Sequence, residues 1–110
     1  MCGLAGIFAY SISAPPVLET ELVRMRDQMI HRGPDGKGLW ISPDQHVGLA
    51  HRRLAIIDLT ENGAQPMASV DGRYHIIFNG EIYNFQELRS ELISKGFSFR
   101  GHSEDRKSVV

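Results

Sequence analysis

Met1-Cys2-Gly3-Leu4-Ala5-Gly6-Ile7-Phe8-Ala9-Tyr10 opens the chain, and Cys2 is the single cysteine among its 110 residues. Residues 2–10 are small, apolar and aromatic, which reads as a buried strand beginning at the thiol. Loss of Met1 would leave a thiol and a free α-amine on one residue. An α-amine titrates at about 7.7–8, so part of it is neutral at pH 7 and can take a proton. A thiol beside such a base can attack a carbonyl or amide carbon. A cysteine ahead of a strand also arises by chance, so later segments must decide between chemistry and coincidence.

Composition narrows the field. Hydrophobic content of 42% and charged content of 23% are ordinary for a globular domain, and the length suits one small core. A net charge of −1 gives no reason to expect nucleic acid or an anionic membrane as partner. One cysteine cannot form an internal disulfide, and the five histidines lack zinc-site spacing, so no metal is expected. A lone thiol fits a reducing compartment. No apolar run approaches the ~20 residues of a membrane span, and no basic segment leads into a hydrophobic one at the start. The expectation is a cytoplasmic protein with no membrane partner.

Along the chain, Pro15-Pro16 breaks a loop. Leu18, Leu22, Met25 and Met29 then recur at helical spacing, predicting an amphipathic helix over about 17–30. His31-Arg32-Gly33-Pro34-Asp35-Gly36 is an irregular turn. Residues 38–42 and 47–51 read as a strand pair turned at Pro43-Asp44. Leu54 to Leu59 is a short apolar run, Thr60 to Met67 a loop, and Tyr74 to Phe78 an apolar strand. Asn84 and Glu87 predict a capping box for a helix whose apolar face is Phe85, Leu88 and Leu92. Lys95-Gly96 stops that helix, and Phe97 to Arg100 begins another strand. The order predicts a sheet-rich α+β domain.

Five strings now stand in one order: MCGLAGI at 1–7, HRGPDG at 31–36, HRRLAIID at 51–58, GAQPM at 63–67 and FNGEIYN at 78–84. Together they resemble the glutaminase domain of class II glutamine amidotransferases, most of all that of the glutamine-hydrolysing asparagine synthetase family. The resemblance covers residues 2–103. It implies an N-terminal nucleophile hydrolase fold, a four-layer αββα sandwich, here incomplete. It also implies the reaction: glutamine is hydrolysed, and its ammonia passes to an ATP-dependent synthetase domain that transfers it to aspartate. Cys2 is then the nucleophile, with its own α-amine as proton shuttle. The Asn79 side chain and the Gly80 backbone N–H form an oxyanion hole, two fixed donors for the developing charge. Arg53 holds the α-carboxylate of glutamine, which a guanidinium fork suits. Glu81 and Glu104 face the α-ammonium group.

The neighbour Arg52 is the natural wrong choice, since adjacent residues of an extended segment point to opposite faces. Gly3 and Gly6 let the chain pack closely around the nucleophile. Arg32 and Asp35 read as a local ion pair, and Gln65-Pro66-Met67 as a shape-setting loop. The resemblance implies no cofactor in this segment; ATP and Mg belong to the synthetase half. Partners are glutamine, that synthetase domain and, at full length, a second copy in a homodimer. A phosphosugar or phosphoribosyl amidotransferase shares the cysteine and the Asn-Gly pair, but the RLAIID and GAQPM strings favour the asparagine synthetase type. An inactive remnant or a glutamine-binding module is the non-enzymatic alternative.

The pattern breaks at the end. The family continues Ser-Asp-x-Glu, whereas Ser103 is followed by Glu104, Asp105 and Arg106. Glu104 stands at the aspartate position, one methylene too long. Asp105 to Val110 can be coded GAT CGG AAG AGC GTC GTG, a string within a common short-read sequencing adapter, whose preceding A would complete GAA for Glu104. On that reading residues 104–110 are at least partly adapter-derived; a frameshifted pseudogene is the competing account. The rest of the glutaminase domain and the synthetase domain are expected elements that these 110 residues do not contain. A segment so cut short leaves sheet edges and an apolar face without partners, so residues 1–110 alone are expected to be poorly soluble or molten, with little activity.

Overall fold

The computed structural model describes residues 2–55 and 63–99. Their order is β1 (Gly3–Phe8), α1 (Glu19–Asp27), β2 (Gly36–Ile41), β3 (Val47–Arg53), β4 (Met67–Ala68), β5 (His75–Ile76) and α2 (Phe85–Ser94). The architecture is a small α+β arrangement of two antiparallel sheets. One has the order β1-β3-β2 and the other is the pair β4-β5. The apolar run at 54–59 lies largely outside the described residues.

The β2–β3 hairpin forms where Pro43-Asp44 predicts a turn, and β2 starts two residues early and β3 runs two residues longer. The Asp44 carboxylate accepts the Ser42 hydroxyl at 2.6 Å and the His46 backbone N–H at 3.1 Å. The Ser42 bond, then the His46 bond, holds its pKa below the usual aspartate value.

Pairing of β1 with β3 places Gly3, Ala5 and Ile7 opposite Arg52, Ala50 and Gly48. Side chains alternate across a strand, so these six residues share one face. α1 covers it. A Cβ on Gly48 would meet Val17 and Leu22 at 2.7 and 2.8 Å, and Gly3 backs onto Met29. Leu22 is fully buried there, with Val17 and Ala50. The prediction of a wholly buried first strand fails for the same reason of alternation. Leu4 and Phe8 point to the other face and are 43% and 67% exposed. Gly3 therefore serves the helix side, not the nucleophile, and Gly6 has only ordinary contacts.

α1 is shorter than the apolar spacing predicts. After Asp27 the chain tightens, and the Met29 N–H donates to the Arg26 carbonyl three residues back, at 3.0 Å. Leu18 and Met25 lie exposed, whereas Arg26, one turn on from Leu22, is buried. Its guanidinium is satisfied by Asp27, Nε to Oδ1 at 2.9 Å. That hydrogen bond lowers the pKa of Asp27.

The second face of the sheet carries the β4–β5 hairpin over β2. Trp40 stacks on His75 with centroids 3.8 Å apart and an interplanar angle of 17°. Gly38 lets the hairpin approach, since a Cβ there would collide with the Gln65 carbonyl oxygen. The strand predicted over 74–78 shrinks to His75–Ile76, because the Phe78 N–H leaves the ladder for the Gln65 side chain.

α2 ends as predicted. Gly96 has φ +94, its N–H donates to the Ile93 carbonyl, and the Phe97 N–H donates to the Leu92 carbonyl, the double bond of a Schellman stop. Its start differs: Asn84 is the N-cap but makes no side-chain cap bond, so the capping box does not form. α2 packs on neither sheet among the described residues and buries none of its side chains. Of the strand predicted to begin at Phe97, Phe99 makes a single β-bridge, and the Arg89 guanidinium lies 5.5 Å from the centre of its ring. Among the described residues no helix is long and apolar enough to cross a membrane.

Candidate functional site

Cys2 sits one residue ahead of β1 and is half-buried. The Gly3↔Arg52 register, carried one step back, sets Cys2 across from Arg53. By alternation both lie on the sheet face away from α1. The Leu54 backbone N–H donates to Cys2 Sγ at 3.3 Å, and Sγ lies 3.8 Å from the Leu54 carbonyl. The thiol is thus held against the segment that leaves β3.

The Cys2 main chain is held from two other sides. Asn79 Nδ2 donates to its carbonyl oxygen at 2.8 Å across 77 residues of sequence. Arg32 Nε reaches the same oxygen at 3.5 Å. The β4–β5 hairpin makes the Asn79 contact possible, because the chain that leaves β5 brings Asn79 to the residue ahead of β1. Gly80 is exposed, and a Cβ on it would press against the Phe78 ring at 3.0 Å.

Arg52 and Arg53 part as the alternation argument predicts. Arg52 is 6% exposed, donates Nε to the Gly33 carbonyl at 2.9 Å and reaches Asp27 Oδ1 with Nη1 at 3.4 Å. It ties β3 to α1 and the turn. Arg53 lies on the Cys2 side of the sheet and stays half-buried.

The predicted Arg32–Asp35 ion pair does not form. Pro34 between them is bridged to Arg53, and the two side chains go to different partners. Arg32 turns to Cys2, while Asp35 Oδ2 accepts the Ala55 N–H at 2.9 Å. Arg32 and Gln65 are the residues whose connections the sequence did not reveal. Polar residues in glycine–proline turns signal only that a turn exists.

The structure therefore gathers Cys2, Asn79 and Gly80 and sets Arg53 in register with them. Glu81 is exposed, and its carboxylate is tied to no other described side chain. Glu104 lies outside the described residues. Among the described residues no cluster of three or more His, Cys, Asp or Glu side chains is arranged to hold a metal. A thiol, a neighbouring amide donor and an arginine on one sheet face can in principle attack and hold an amide-bearing amino acid.

Comparison with known proteins identifies the family. Residues 1–107 match the glutamine amidotransferase domain family. Asparagine synthetase [glutamine-hydrolyzing] 1 of Bacillus subtilis (strain 168) is 50% identical, over 94% of this chain and 16% of its own length. Amidase chry2 of Gibberella zeae is 38% identical, over 94% of this chain and 16% of its length. Asparagine synthetase [glutamine-hydrolyzing] 3 of Bacillus subtilis is 39% identical, over 94% and 17%. The chain spans about a sixth of the length of these relatives. It belongs to the glutamine amidotransferase domain family, in the form found at the glutamine-hydrolysing part of asparagine synthetases.

Proposed function

We propose that this segment hydrolyses glutamine through Cys2 and supplies ammonia to a synthetase domain. The observation that carries the proposal is the 2.8 Å bond from the Asn79 amide to the Cys2 carbonyl. It sets the candidate nucleophile beside the Asn79-Gly80 pair. With Met1 removed, the α-amine of Cys2 takes the thiol proton, and Sγ attacks the side-chain carbon of glutamine. A carbon–sulfur bond forms, and the carbonyl electrons move onto oxygen.

Asn79 Nδ2 carries two hydrogens. One serves the Cys2 carbonyl; the other, with the Gly80 N–H, meets the oxyanion. Collapse expels ammonia, protonated by the α-ammonium, and leaves a glutamyl thioester that water cleaves to glutamate. Arg53 binds the α-carboxylate of the substrate, and Glu81 and Glu104 its ammonium. The complete domain closes as a four-layer αββα sandwich, in which the exposed Leu4–Phe8 face acquires its second layer. ATP and Mg act in the synthetase domain, aspartate is the acceptor, and the full-length protein is a cytoplasmic homodimer.

A diazo-ketone analogue of glutamine tests the core of this reading. Adduct on the Cys2 peptide, absent in Cys2→Ala, is the expected result. Labelling indifferent to that substitution would favour a binding module without hydrolysis. Residues 2–103 carry the N-terminal part of the domain and 104–110 are at least partly adapter-derived; genomic DNA that reproduces the GAT CGG AAG AGC codons after Ser103 would overturn this last point.

A further inference from the structure

We infer that Gln65 is a positioning residue for the oxyanion-binding turn, holding Asn79 and Gly80 at the distance from Cys2 that the reaction needs. The inference rests on the reading of Asn79 and Gly80 given above. Gln65 is 4% exposed, and its Oε1 accepts the Phe78 N–H at 2.6 Å. Phe78 is the residue immediately before Asn79.

The other end of the lever is the sheet. The Gln65 carbonyl is seated on β2 at Gly38, where a Cβ would collide with it. β2 is paired through β3 to β1, and Cys2 stands at the head of β1. A rigid path therefore runs from the nucleophile through three hydrogen-bonded strands to Gln65 and on to the turn. The direct Asn79–Cys2 bond fixes only the Asn79 side chain. Gly80 has no side chain to anchor it, so the direction of its N–H depends on how the backbone enters at Phe78. Gln65 fixes that entry point.

The competing account is that Gln65 merely satisfies a buried backbone N–H, at a cost in stability and none in chemistry. Oxyanion donors act only when they sit about 3 Å from the developing charge, and an error near 1 Å costs roughly a hundredfold. A positioning role thus predicts a loss in kcat with little change in KM.

The test uses the intact gene product and compares wild type, Gln65→Leu, Gln65→Asn and Gln65→Glu. Gln65→Leu removes the acceptor, Gln65→Asn shortens its reach, and Gln65→Glu keeps an acceptor oxygen in place. Three readouts are taken: kcat for glutamine hydrolysis, KM, and the rate of Cys2 alkylation by iodoacetamide, which needs the thiol but no oxyanion hole. The expected result for Gln65→Leu and Gln65→Asn is a kcat lower by about ten- to a hundredfold. KM should stay within about threefold and alkylation within about twofold, and Gln65→Glu should recover most of kcat. A kcat within twofold of wild type in Gln65→Leu, or kcat and alkylation falling together, overturns the inference. Hydrolysis that survives Cys2→Ala instead overturns the underlying reading of the site, a result distinguishable from failure at Gln65.

Discussion

The adjacent arginines offer a double dissociation that tests the register of the central sheet. Arg52→Met and Arg53→Met each keep an apolar stem and remove a guanidinium. Arg52 is 6% exposed and donates Nε to the Gly33 carbonyl at 2.9 Å, and a hydrogen bond from a charged donor contributes about 1.5–3 kcal/mol. Its second partner, Asp27, is 3.4 Å away with a carboxylate open to solvent, so that pair adds little. Arg52→Met should therefore lower unfolding free energy by about 1.5–3 kcal/mol and leave KM for glutamine nearly unchanged. Arg53 lies across from Cys2, and in the proposed role its loss removes the charged bonds to the substrate carboxylate. At about 1.5–3 kcal/mol, KM should rise roughly ten- to a hundredfold. Urea unfolding and steady-state glutaminase kinetics on the intact gene product read both effects. The reverse pattern in KM, raised by Arg52→Met and unchanged by Arg53→Met, would refute the assignment of faces.

Other outcomes follow from single contacts. Asn79→Ala removes both the oxyanion donor and the clamp on the Cys2 carbonyl, so kcat should fall about 10²–10³-fold; a loss under tenfold would contradict its role. Asp44 should titrate by NMR below an unstructured aspartate, and Ser42→Ala should raise it, since the Ser42 hydroxyl is the main cause of the shift. A lowered folded pKa means that this contribution is present above the unfolded value and disappears as pH falls through the folded one. Residues 1–110 alone should bind a hydrophobic dye and lack a sharp melt, because Phe8, Tyr10 and Leu88 are exposed and α2 has no partner; a cooperative calorimetric transition would refute this.

Local features were legible where local physics governs them. The β2–β3 turn follows from Asp44 capping its own loop, and the end of α2 follows from Gly96 adopting positive φ. Burial was less legible. Leu18 and Met25 fit the helical stripe yet lie exposed, while Arg26 is buried, because the helix turns Leu22 and Arg26 toward the sheet. The predicted strand at 74–78 lost its last residues to Gln65, a partner 13 positions away that no local pattern announces. The Arg32–Asp35 pairing failed likewise, since Arg32 turns to the Cys2 carbonyl and Asp35 to the Ala55 N–H, both distant in sequence.

By itself the sequence determined the family and named the candidate site residues, because the thiol at position 2, the Asn79-Gly80 pair and the arginine are matters of residue type and order. It also determined that only one of Arg52 and Arg53 could face the site, because a strand alternates. The motif match named Arg53; where it stands, and what lies beside Cys2, was decided by the tertiary structure. The Gly3↔Arg52 register puts Arg53 opposite the nucleophile, and the hairpin seated on Gly38 carries Asn79 to a cysteine 77 residues away. Such contacts depend on where strands end in space, and the residues between them carry no local record of that distance.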